Sequence, residues 1–141
     1  MLFIKNIVIH PFLLAIFPII FLFSQNVNTS PNEIILPVLM VLGAIILIWI
    51  LINQLLKNKI KSGLMVSTGL VLFFSYGHLF DLLDENFPSF PMFEKHLILL
   101  SIYIITFIIF STYVIKKNKM FDNVTKISNV MSIVIIILPL I

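Results

Sequence analysis

Residues 33–56, EIILPVLMVLGAIILIWILINQLL, decide the fold. After Glu33 no charged side chain occurs until Lys57. As a helix rising about 1.5 Å per residue, the run reaches about 36 Å. That is enough to cross a hydrocarbon core of about 30 Å. Lipid offers the backbone no hydrogen-bond partners, so a single span of this kind closes its own bonds as a helix. The alternation of period two that marks a membrane barrel is missing.

Working outward, the same reading applies to residues 7–24, 64–80 and 97–115, and more briefly to 127–141. The expectation is an all-α, polytopic transmembrane helical bundle over residues 1–141, with four complete spans plus a short or truncated fifth. Composition points the same way. The 141 residues are 60% hydrophobic and 11% charged, with mean hydropathy +1.17. Soluble domains carry about 25% charged residues, so this chain lacks the polar surface to coat a water-soluble globule.

The segment 127–141 ends on Leu-Pro-Leu-Ile with no polar stop. This predicts the amino-terminal membrane part of a longer protein. The alternative is a short, tilted or half-inserted last helix in a complete small protein. The first segment differs from a secretory signal: it is long, carries Pro11 and Pro18, and has no small-x-small cleavage site. It reads as a retained anchor. Pro11 falls in the first turn, where proline costs no hydrogen bond; Pro18 lies deeper and is expected to kink or open the helix. Pro37 repeats the early placement behind NTSPNE, which is rich in helix-starting residues.

Lysine sets the orientation. Lys5, Lys57, Lys59, Lys61, Lys116, Lys117, Lys119 and Lys126 fall on one side of the expected spans, and Lys95 alone on the other. The positive-inside rule then puts the amino terminus in the cytoplasm and loops 25–32 and 81–96 outside. A prokaryotic cell membrane is the expected location. The chain has no arginine and no cysteine. The first speaks against nucleic-acid binding, which leans on the bidentate guanidinium. The second excludes disulfides, thiol nucleophiles and cysteine metal sites. The lysine clusters KNKIK and KKNK mark topology, and could also attract anionic lipid headgroups. The sequons at Asn28-Thr29-Ser30 and Asn123-Val124-Thr125 support no glycosylation, the first lying against the bilayer and the second inside.

Chemistry-bearing residues concentrate in FFSYGHLFDLLDENFPSFPMFEKH, residues 73–96. The third span is the least hydrophobic. Thr68 and Ser75 are seven apart and share a helix face; Tyr76 and His78 follow. Polar side chains in a membrane segment face protein or water rather than lipid. The face either bonds neighbouring helices or lines a polar path. His78, Asp81, Glu85 and His96, with Asp84 and Glu94 nearby, are candidate divalent-metal ligands, since imidazole and carboxylate suit such ions. The plain alternative is an acidic outer loop. Phe87, Phe90 and Phe93, separated by Pro88 and Pro91, are expected to dip into the outer interface or to dock a domain or partner chain. No Walker loop, nucleophile elbow, zinc-protease helix or Rossmann glycine run is present. No cofactor and no catalytic residue are therefore assigned.

The stretches IHPFLLAIFPIIFLFSQNV and LVLFFSYGHLFDLL resemble the amino-terminal membrane region of microbial sulfatase-like proteins of the alkaline-phosphatase superfamily. The resemblance implies a several-span anchor ahead of an extracytoplasmic metal-dependent hydrolase or transferase domain. That domain's metal ligands and nucleophile have no counterparts among these residues. Three functions are open at this point. The chain could anchor and position an outward-facing domain. It could be an accessory subunit packing against partner membrane subunits. It could be a transport or proton-path element using the polar face of span three.

Overall fold

The structure, a computed structural model, describes residues 7–26, 28, 30–117 and 121–141. Lys5 and Lys119 of the lysine asymmetry, and Thr29 of the first sequon, lie outside the described residues. Among the described residues there are five α-helices and no strand. They are α1 (His10–Gln25), α2 (Pro31–Leu56), α3 (Lys59–Asn86), α4 (Met92–Lys116) and α5 (Asp122–Ile137), the last followed by a 3-10 turn at Leu138–Leu140. The all-helical expectation holds. The helices long and apolar enough to cross a membrane are α2, α3, α4 and the stretch Asp122–Leu140.

Among the described residues α1 and α5 are the short helices, with 16 residues each; α5 reaches spanning length only together with the 3-10 turn, and α1 does not reach it. Residues 7–9 are not helical, although they are apolar. The helix starts at His10 because a side chain from α5 takes up the amides that precede it, as described below. α1 then runs on through Pro18.

The helix boundaries follow local chemistry. Ser30 caps α2: its hydroxyl accepts from the Asn32 amide at 3.4 Å, and its own amide donates to Glu33 Oε1 at 3.3 Å. With Pro31 in the first turn this forms a capping box. α2 ends where Lys57 adopts the left-handed conformation, φ 49°. Asn58 then opens α3, its side chain accepting from the Lys61 amide at 3.1 Å. Only Lys57 and Asn58 link α2 to α3.

The expected outer loop 81–96 is mostly helix. α3 continues to Asn86 and α4 begins at Met92, leaving only residues 87–91 between them. Asp81, Asp84, Glu85 and Glu94 therefore stand on helices. Charge marks where a helix meets water; it does not end one. Pro88, which has no amide hydrogen to donate, and Pro91, at the α4 cap, are what confine the turn.

The helices gather into two compact units. One comprises Met1–Ser67 with Lys119–Ile141, the other Thr68–Asn118. In the first, α1 packs against both α2 and α5, with Phe12 meeting Trp49 edge-on at 5.9 Å. In the second, the rest of α3 faces α4 in an antiparallel hairpin, with Leu99 and Tyr103 buried.

Candidate functional site

Within the second unit, α3 and α4 are joined by a ladder of polar and aromatic pairs. Ser75 Oγ and Tyr103 OH are 2.9 Å apart. One residue on, Tyr76 OH meets His96 Nδ1 at 2.9 Å. The His96 ring lies nearly parallel to two others, Phe80 at 4.1 Å and Tyr76 at 6.1 Å between centroids. Tyr76 also meets Tyr103 edge-on at 5.5 Å. At the turn end of the hairpin, Lys95 Nζ donates to Asp84 Oδ1 at 2.6 Å. The pair is lopsided: Lys95 is 5% exposed and Asp84 61%. The buried ammonium needs its partner, whereas the carboxylate is at home in water.

The sequence candidates divide accordingly. Ser75, Tyr76 and His96 are drawn together, but to tie α3 to α4. Thr68 is half-buried on α3. His78, Asp81 and Glu85 are exposed on α3. Among the described residues no group of three or more His, Asp or Glu side chains gathers to hold a metal ion. His96 is instead engaged by Tyr76, one of its ring nitrogens already bonded.

The three phenylalanines also part company. Phe87 and Phe90 meet edge-on at 6.1 Å. With Leu83, Ile98 and the stem of Lys95 they line a hollow of about 230 Å³. Phe93, in the first turn of α4, points out and is 73% exposed. A second groove of about 400 Å³ runs between α3 and α4, lined by Gly69, Leu72, Phe73, Phe107 and Ile108 among others, and is almost wholly apolar.

The first unit carries a polar centre of another kind. Asn129, on α5, is 2% exposed. Its Oδ1 accepts from the Ile9 amide at 3.2 Å and the His10 amide at 3.0 Å, and its Nδ2 donates to the Ile7 carbonyl at 2.7 Å. The residue preceding α1, Ile9, has no side chain able to cap it. Asn129 therefore supplies the cap from 119 positions away. His10, itself 0% exposed, sets Nδ1 2.5 Å from Ser67 Oγ on α3. Gly63, one turn before Ser67, makes room: a Cβ there would collide with the Val8 side chain. Ser62, Thr125 and Ser132 are buried in the same unit. Ser62 and Ser132 satisfy their hydroxyls on the carbonyls of Asn58 and Ser128, four residues back, at 2.8 and 2.7 Å.

The sequence alone assigned no role to His10 or Asn129. A signal was present. Thr125, Asn129 and Ser132 recur at four and three residues along α5, which places them as a polar stripe on one face. In a membrane segment such a stripe turns inward.

No protein family, curated protein or solved structure matches the chain.

Proposed function

We propose that this chain is an integral membrane scaffold. Its helices anchor and position an outward-facing domain or partner at a prokaryotic cell membrane, with the amino terminus in the cytoplasm. The observation that carries the reading is the use made of the polar side chains. In both units polar side chains join helix to helix or helix to backbone, while many large apolar side chains stand exposed on the helix surfaces. Polar groups placed this way fix helix positions in a medium where apolar contact between helices has little driving force of its own.

The meeting of His10, Ser67 and Asn129 supports alternating passage. His10 opens α1, Ser67 lies in the first third of α3 and Asn129 near the middle of α5, and the three meet within the first unit. Odd-numbered helices that all enter from the same face would be arranged so. The lysines of 57–61 and of 116, 117 and 126 flank helix ends on that expected side, which supports a cytoplasmic placement. The likeness to the membrane region of sulfatase-like proteins supports an extracytoplasmic hydrolase or transferase as the positioned domain.

An accessory-subunit reading is favoured by α2. It exposes apolar side chains nearly all round, and Gly43 has open space beside it. The two readings separate on whether the intact chain purifies with a stoichiometric membrane partner.

The absence of native cysteine makes the topology directly testable. Single cysteines introduced as Lys59→Cys and Glu85→Cys are challenged in intact cells with a membrane-impermeant maleimide. The expected result is labelling of the Glu85→Cys protein alone, with Lys59→Cys reacting only after permeabilisation. The reverse pattern overturns the orientation. Equal labelling of both in intact cells overturns the spanning arrangement.

A further inference from the structure

Two enclosed polar atoms in the first unit have no protein partner, His10 Nε2 and Thr125 Oγ1. Their residues are 0% and 3% exposed. The choice of tautomer cannot relieve His10. Nδ1 is already engaged by Ser67, so Nε2 is left as a bare donor or a bare acceptor whichever nitrogen carries the proton. Thr125 stands one turn before Asn129 on the same face of α5, and Asn129 holds the His10 amide. The two orphaned groups thus belong to one end of the unit. Gly63 lets its helix approach the imidazole closely: the position a Cβ would take there is 3.5 Å from Nε2, and the Val8 side chain already fills it. Three more partnerless polar atoms lie in this unit, Trp49 Nε1, Asn53 Oδ1 and Asp122 Oδ1. Trp49 packs against Phe12, and Asn53 follows one turn further along α2. The antiparallel course of α1 and α2 brings that turn to the level at which α1 begins.

These atoms are not all of one kind. The indole N–H can only donate, the amide and carboxylate oxygens accept, and the hydroxyl and the imidazole do either. A ligand serving such a set must be small and must both donate and accept. Buried water has that chemistry, and in folded proteins it makes about three hydrogen bonds to otherwise unsatisfied groups. We propose that this end of the first unit is an internal hydration site, in which ordered water bridges His10 Nε2 and Thr125 Oγ1.

Thr125→Val replaces the hydroxyl with a methyl group of nearly the same shape, and the sign of its effect decides. A hydroxyl with no partner is a liability, so its removal would leave the melting temperature unchanged or raise it. A hydroxyl that holds a bridging water is an asset, and its removal also strands His10 Nε2. The full chain in lipid bilayers should therefore lose about 4 °C of Tm as Thr125→Val, while Thr125→Ser retains most of the wild-type value. An unchanged or raised Tm for Thr125→Val overturns the proposal. The wild-type protein gives an independent reading. Solid-state NMR should show a dipolar cross peak from long-lived water to the Nε2 of His10, and its absence overturns the proposal even if the variant fails to fold.

Discussion

The two units solve one problem by different means. Each must hold apolar helices together where the surroundings are as apolar as the helices. In Thr68–Asn118 the ties run from side chain to side chain: Ser75 to Tyr103, Tyr76 to His96, Lys95 to Asp84. Each is a separate pair, and the rings of Tyr76, Phe80, His96 and Tyr103 would still pack if one hydroxyl were lost. In the first unit the central tie runs from a side chain to the main chain, since Asn129 meets the Ile9 and His10 amides and the Ile7 carbonyl. Main-chain groups cannot be exchanged for apolar ones. A pairwise ladder therefore degrades gradually, whereas a backbone clamp fails at once.

The largest effect should follow from breaking that clamp. Asn129→Leu keeps the volume but strands two amides and a carbonyl at the start of α1. At about 1–3 kcal/mol for each orphaned group, less what relaxation and water recover, the loss should be about 3–5 kcal/mol. Equilibrium unfolding in bilayers or mild detergent would measure it. If the loss is under about 1 kcal/mol, the clamp contributes no more than one rung of the ladder. Tyr76→Phe removes a single hydrogen bond to His96 and leaves the stacked rings, so it should cost about 1 kcal/mol in the same assay. The smallest effect runs the other way. Lys57 takes a left-handed conformation that a side chain resists. Lys57→Gly should stabilise by about 0.5 kcal/mol, after allowing for glycine's greater freedom in the unfolded chain.

The same contrast explains what could be read in advance. The helical class was legible because each span is a long, mainly apolar run, and α2 even announces its start through Ser30, Pro31 and Glu33. Boundaries were read less well where polarity stood in for helix ends. Asp81, Asp84 and Glu85 suggested a loop, yet α3 carries them all and ends only at Asn86, before Pro88. Thr125 lies ahead of the expected last span, yet α5 already includes it, its polar face turned inward. The ladder residues Ser75, Tyr76 and His96 drew attention because they interrupt apolar runs. His10 did not reveal its role, because its partners Ser67 and Asn129 lie 57 and 119 positions away and no local spacing encodes such a meeting.

Hydrogen exchange on Asn129→Leu and Tyr76→Phe, followed side by side in bilayers, tests the division of labour most directly. The account predicts that Asn129→Leu strips protection from the amides of His10–Gln25 and leaves those of Met92–Lys116 near wild type, while Tyr76→Phe loosens only the α3–α4 hairpin, and mildly. Protection lost uniformly across all five helices in either variant, or retained by α1 in Asn129→Leu, would contradict it.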